Sequence, residues 1–195
     1  MIDKKSKIYE SGKKLFEKNG FKDTNIAEIM QQSGFATGTF YNYYHSKDQL
    51  FMELYNNENA LLKRHIMESV DQDAKPIDVI KEITQKNLHG MKANPILKEW
   101  YNTESFSKIE QSFREEDGLA HIGFLYERYT EIVKNWQTAG RIRNDMSAEM
   151  IMALFSALIS VDLHKDEIGM QFFPEIMDYL AEFIMRGLQP DHVGV

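Results

Sequence analysis

Residues 24–50, TNIAEIMQQSGFATGTFYNYYHSKDQL, decide how this chain is read. Asn25 and Glu28 form an N-x-x-E pair, a capping box that opens a helix. Ile26, Ile29 and Met30 then fall at i, i+3 and i+4 and give that helix one apolar face. Gly34 supplies a left-handed residue that stops the helix, and Phe35 is placed to fold back as the plug of the corner. The pattern predicts a second helix opening at Thr37, with Phe40 and Tyr44 turned inward and Thr37, Gly38, Tyr41, Asn42 and Tyr43 turned out.

The outward set carries hydroxyls, an amide, aromatic bodies and a glycine that lets another backbone come close. Such uncharged side chains bond phosphate oxygens and base edges. A short second helix presented after a glycine corner is the helix-turn-helix arrangement. On spacing alone, a plain corner between two helices of an all-helical protein remains open.

The run Gly34 to Leu50 resembles the DNA-reading segment of the tetracycline-repressor (TetR) family. The likeness rests on Thr39, Phe40 and Tyr41, on the closing aromatic Tyr44, and on the spaced Ser46, Lys47, Asp48 and Leu50. Gly20, Phe21 and Thr24 before Ile26 and Ile29 extend it upstream. The resemblance implies a fold class of all-α: an N-terminal three-helix helix-turn-helix head, residues 1–46, followed by a helical ligand-binding and dimerisation domain, residues 47–195.

Composition agrees. The 195 residues suffice for a sizeable core, and 4 prolines and 11 glycines interrupt few helices. With 43% hydrophobic and 27% charged residues the chain reads as globular and soluble. The absence of cysteine excludes disulfides and thiolate metal sites. The opening MIDKKSKIYE lacks the apolar stretch of a signal peptide, and no run approaches the ~20 residues of a spanning helix, so the expectation is a cytoplasmic protein with no membrane partner. The net charge is −7, unevenly spread: residues 1–48 hold eight Lys/Arg against six Asp/Glu, and the remainder fifteen against twenty-four. That describes a mildly basic head on an acidic body.

Asp3 to Asn19 reads as the first helix, buried along Ile8, Leu15 and Phe16, with Gly12 where a neighbour can approach. A long helix from Lys47 to about Met67 carries Leu50, Leu54 and Leu61 on one stripe and forms a rigid lever from head to body. Further helices are expected at about 77–91 and 96–103, less distinctly around 106–116, where Glu115, Glu116, Asp117 and Gly118 close the segment, and then at 119–138. The last two helices, from Ser147 to about His164 and from Pro174 to a C′ glycine at Gly187, have the broadest apolar surfaces. Ile151, Leu154, Phe155 and Leu158 on the first, with Ile176, Leu180, Phe183 and Ile184 on the second, are the expected interface of a homodimer built as a four-helix bundle. The TetR resemblance implies the same pair.

Carried over position by position, the resemblance makes Thr37 and Gly38 contacts to bases and backbone, Thr39 and Tyr41 phosphate contacts, and Asn42 a base reader. It also makes Tyr43 a contact of unspecified kind, Lys47 a phosphate clamp, and Thr24 and Asn25 backbone contacts. Ala27 departs from relatives that hold Arg there. The implied partners are a double-stranded DNA operator and an unidentified small-molecule effector. Met91, Trp100, Tyr101, Phe106, Phe113, Phe124 and Tyr129 are the candidate pocket wall, and their chemistry suits an apolar or aromatic molecule. No catalytic residue, cofactor or metal site is expected. His45, His65, His89, His121, His164 and His192 form no H-E-x-x-H, and His164 with Glu167, Asp162 and Asp166 reads as a solvated acidic loop rather than a metal site. The expected role is a ligand-responsive repressor. The competing reading is a helical dimer of the same fold that binds a protein instead of DNA.

Overall fold

The computed structural model describes residues 3–115, 120 and 123–190, and every regular element among them is helical. The helices are α1 (Lys4–Asn19), α2 (Ile26–Ser33), α3 (Lys47–Ser69), α4 (Pro76–Ala93), α5 (Phe106–Glu115), α6 (Phe124–Thr138), α7 (Ala148–Leu163), α8 (Lys165–Ile168) and α9 (Glu175–Gly187), with tighter 3₁₀ turns at Thr37–Asn42, Leu97–Tyr101 and Met170–Phe172. Glu116, Asp117, Gly118 and Leu119, expected to close one helix and open the next, lie outside the described residues, as do His121 and His192. The chain packs as two compact units, Met1–Leu62 with Gly90–His121 and Lys63–His89 with Ile122–Val195. It passes between them within α3 and within α4.

The first unit is organised by rings. Phe51 of α3 is fully buried and stands 5.1 Å from the ring of Phe16 on α1, edge-on, and 4.8 Å from Phe21 in the α1–α2 loop. It also stands 6.4 Å from Tyr55, one turn on. Tyr55 meets Trp100 at 5.7 Å and Phe113 at 6.2 Å, and Trp100 meets Phe106 at 5.3 Å. Each offset or edge-on pair adds ~0.5–1.5 kcal/mol to the burial of its rings. Gly12 lets α1 lie against α3, because a Cβ there would stand 2.7 Å from Leu50 Cδ2. Lys5–Glu53 at 3.0 Å and Lys13–Glu58 at 2.6 Å tie the two helices at their edges. Glu58 also accepts from the Asn94 amide at 2.7 Å. The Asn94 oxygen in turn takes the Ile96 and Leu97 N–H groups, which explains why Asn94-Pro95 ends α4 and starts a new turn. Leu54 is buried with Leu50, but Leu61, assigned to the same stripe, is 58% exposed: the buried face of α3 drifts away from a seven-residue repeat.

The second unit is built on α6, α7 and α9. The Ser147 hydroxyl oxygen accepts the Met150 N–H at 3.1 Å and caps α7. Trp136, Ile142, Ile151, Met152, Ala181, Met185 and Leu188 are buried. Gly187 is not the left-handed stop expected of it. It remains inside α9, and the chain continues through Leu188, 2% exposed, whose carbonyl accepts the Arg143 N–H at 2.9 Å. Burial of Leu188 and that bond, rather than glycine geometry, hold the end of the helix.

Candidate nucleic-acid interface

The corner forms as the local sequence directs. The Asn25 amide oxygen accepts the Glu28 N–H at 3.0 Å and opens α2. Gly34 sits at φ 79° and ψ 23°, a left-handed conformation costly for a residue with a Cβ. Its N–H is directed at Gln31 and Met30, and the Phe35 N–H bonds the Met30 carbonyl at 3.1 Å. Phe35 itself is half-buried and carries Lys4 and Lys7 over its ring at 5.7 and 5.8 Å. These contacts place two ammonium groups beside the corner. The element that follows is one tight 3₁₀ stretch, Thr37–Asn42, with Thr39 N–H bonded to the Ala36 carbonyl and Tyr43 N–H to that of Phe40. Phe40 within it and Tyr44 just beyond it are buried, their rings 5.5 Å apart, and anchor the turn from below. Burial raises the Tyr44 phenol above its usual range, so it stays protonated.

The outer face carries the predicted set. Thr37, Gly38 and Asn42 are exposed, Tyr41 is 56% exposed, and Thr39 and Tyr43 are half-buried. A Cβ at Gly38 would meet nothing within 4 Å. Hydroxyls, a free amide and open backbone therefore stand together on a rigid projection, which can donate to and accept from another polar surface.

Two members of the predicted set are otherwise engaged. Lys47, expected as a phosphate clamp, directs its ammonium to the carbonyls of Phe21 at 2.7 Å, Thr24 at 2.8 Å and Lys22 at 3.4 Å. It lies 4.5 Å from the Phe21 ring, and burial lowers its pKa. The ammonium satisfies the carbonyls of the α1–α2 loop, three acceptors that a lysine's three N–H groups match. Thr24 is 1% exposed and donates its hydroxyl to Gly20 O at 2.8 Å, so its side chain locks the same loop.

The sequence of residues 8–54 matches the profile of "Bacterial regulatory proteins, tetR family". The match takes in about a quarter of the chain, and over these residues the chain is similar to the tetR family. The matched segment is similar to that family's helix-turn-helix, and the exposed face of Thr37–Asn42 lies inside it. Among curated proteins it is similar to the HTH-type transcriptional regulator YxaF of Bacillus subtilis, 24% identical over 101 residues. That match takes in 48% of this chain and 53% of the relative, about half the length of each. Among solved structures, Thermus thermophilus FadR, a TetR-family repressor in complex with lauroyl-CoA, superposes with a TM-score of 0.63 at 20% identity over 98% of this chain and 95% of that one. RolR in complex with resorcinol gives 0.66 at 15% identity over 97% and 89%. At such identities the likeness is one of fold.

The residues proposed to wall an effector pocket divide between the two units. Met91, Trp100, Phe106 and Phe113, each at most 6% exposed, and the half-buried Tyr101 belong to the first. Phe124 and Tyr129 belong to the second, where Phe124 is 36% exposed under the Arg64 guanidinium and burial raises the Tyr129 phenol. A shallow groove lies within the second unit between α4 and α9, lined by Ile77, Ile80, Thr84, Asp178, Ala181 and Met185, none of them expected there.

Of the expected dimer residues, Leu154 and Phe183 are 37% and 63% exposed, and Phe155, Leu158, Ile176, Leu180 and Ile184 are half-buried. Ile151 is 0% exposed and belongs to the core of its own unit, a correction that follows from α7 turning this residue inward. Met150, Ile159 and Tyr179 are open to solvent and enlarge the apolar face. Tyr179 escaped the sequence reading because its phenol breaks the aliphatic pattern of α9.

Two lysines in the second unit, Lys165 buried and Lys63 half-buried, had no place in that reading. Lys165 is 0% exposed, donates to the Asp162 carbonyl at 3.0 Å, and stands 3.7 Å from its carboxylate. Lys63 donates to the Asn87 amide oxygen. Burial brings each down to about 8, against the opposing pull of Asp162. The Asp162–Glu167 stretch, expected as a solvated loop, therefore holds a lysine in the core. Among the described residues no group of three His, Asp or Glu is placed to hold a metal ion, and no helix is long and apolar enough to cross a membrane.

Proposed function

We propose that this protein is a ligand-responsive transcriptional repressor. As a homodimer it lays Thr37–Asn42 of each subunit into successive major grooves of an operator, and it leaves the DNA when a small apolar or aromatic effector binds. The observation that carries this reading is the uncharged, outward face of Thr37, Gly38, Tyr41 and Asn42 on a turn anchored by Phe40 and Tyr44. Asn42 is the candidate reader of an adenine edge, and Tyr41, Thr39 and Thr37 are candidates for phosphate oxygens. Lys4 and Lys7, gathered at the corner over Phe35, supply cationic contacts that the turn itself lacks. The functional division is residues 1–46 for reading and 47–195 for sensing and dimerisation.

Dimerisation is supported by the exposed Met150, Leu154, Ile159, Tyr179 and Phe183 on α7 and α9, an apolar face large for a lone surface. Effector binding is supported by the same fold holding lauroyl-CoA in FadR and resorcinol in RolR. Release follows if the effector favours a conformer whose heads no longer match the groove spacing. The test is electrophoretic mobility shift with DNA flanking the protein's own gene, repeated with unrelated DNA and rising salt. Specific, salt-sensitive retardation is expected. The net charge of −7 and the uncharged reading turn favour a second reading, in which the dimer recruits a protein. No retardation at low salt would select it.

A further inference from the structure

The loop between α1 and α2 is held by side chains from far along the chain. Lys108 on α5 sets its ammonium 3.0 Å from the Asp48 carboxylate, on the first turn of α3, and 5.7 Å from the centre of the Phe21 ring. Lys47 stands 4.5 Å from the same ring, which is 4% exposed and packs on Phe51. Nearby in sequence Glu104 pairs with Lys22 at 2.8 Å, and Glu99 lies so close to Gly20 that a Cβ there would stand 2.9 Å from its Oε1. All of these residues belong to the first unit. The two ion pairs differ in exposure. The side chains of Lys22 and Glu104 are both 65% exposed, whereas that of Asp48 is 22% exposed, so the Asp48–Lys108 pair is the less screened. Asp48 is also tied to the end of the reading turn. The Ser46 hydroxyl oxygen accepts the Gln49 N–H at 3.1 Å, and the Gln49 side-chain oxygen accepts the His45 N–H at 2.8 Å. The first turn of α3 is therefore bonded to the residue that follows Tyr44, the buried ring beneath Thr37–Asn42.

We propose that Asp48 and Lys108 are positioning residues for DNA reading: α5 braces the first turn of α3, and through it the pose of Thr37–Asn42. The inference rests on the DNA-binding reading above and extends its reading part beyond residues 1–46. It fixes a sign that charge alone reverses. By charge alone, removing a carboxylate from a head that meets phosphates lessens repulsion and tightens binding. As part of a brace, the same carboxylate holds Lys108, and removing it weakens binding.

The full-length protein and its variants are titrated against DNA flanking the protein's own gene, and against single-base variants of it, at several salt concentrations. Asp48→Asn and Lys108→Met are each expected to weaken binding about fivefold on every sequence alike, the scale of one partly shielded ion pair. The double variant should bind no more weakly than either single one, because both remove the same contact. Lys108→Arg keeps the charge and should bind within about twofold of the parent. The salt slope should stay that of the parent, whereas loss of a direct phosphate contact would lower it by about 0.9. Tighter or unchanged binding by Asp48→Asn, additive losses in the double variant, or a reduced slope for Lys108→Met would each overturn the assignment. The parent protein separates the two levels. If it retards its own flanking DNA and the variants match it, this inference fails and the regulator reading stands. If the parent retards none, the regulator reading fails and this inference falls with it.

Discussion

Removing the Phe51 ring is expected to unfold the first unit far more readily than any surface change. The ring is fully buried and is the shared neighbour of Phe16, Phe21 and Tyr55. A Phe-to-Ala change in such a site loses ~3–5 kcal/mol, from transfer of the ring and from the cavity left behind. Domains have only ~5–15 kcal/mol in hand. With a urea m-value of ~2 kcal/mol/M, Phe51→Ala should lower the midpoint by about 2 M. The two tryptophans allow each unit to be watched alone, because Trp100 belongs to the first and Trp136 to the second. In a Trp136→Phe background the Trp100 signal should show the full loss. A double-mutant cycle with Phe21→Ala should give a coupling of ~0.5–1.5 kcal/mol, the size of one ring pair. A loss below 1 kcal/mol at Trp100, or no coupling to Phe21, would refute the claim that these rings hold the head together.

Asn42→Ala should relax preference at a single operator base pair by about 1–3 kcal/mol, whereas Tyr41→Phe should weaken all sequences alike, as read by binding to an operator-variant panel. Gly34→Ala should cost about 1 kcal/mol in urea melts, with Gly34→Asn milder, because only the left-handed backbone is at stake there. Phe183→Glu should shift sedimentation toward monomer and weaken operator binding while each unit still melts cooperatively, since Phe183 is 63% exposed in the single chain. Lys165, lowered to about 8 by burial, is neutral in the folded protein at a pH where the unfolded chain still carries its charge. Stability should therefore rise between about pH 8 and 10.5, by at most about 3 kcal/mol, and Lys165→Met should flatten that rise in urea midpoints.

The helix-turn-helix was legible because its signals are short-range. Asn25 caps three residues on, Gly34 stops a helix by its own φ, and Phe40 and Tyr44 lie one turn apart. Lys47 was legible as a residue but not as a contact. The carbonyls it binds belong to residues 21–24, and only the folded loop brings them within reach. Ile151 and Leu61 fail in opposite directions for a common reason: an apolar residue on a broad stripe does not declare which edge of the stripe faces the core. The pocket set was the least readable part. Trp100, Phe106 and Phe113 look alike in the sequence whether they fill a core or line a cavity.

Gly38 brings one last consequence. With open space where a side chain would begin, the fold exerts no steric veto on what stands at this position. An alanine or serine there should refold indistinguishably from the parent. Any penalty it shows must then be imposed from outside by whatever rests on the turn, so this one site reports on the visitor with the host's own stability subtracted.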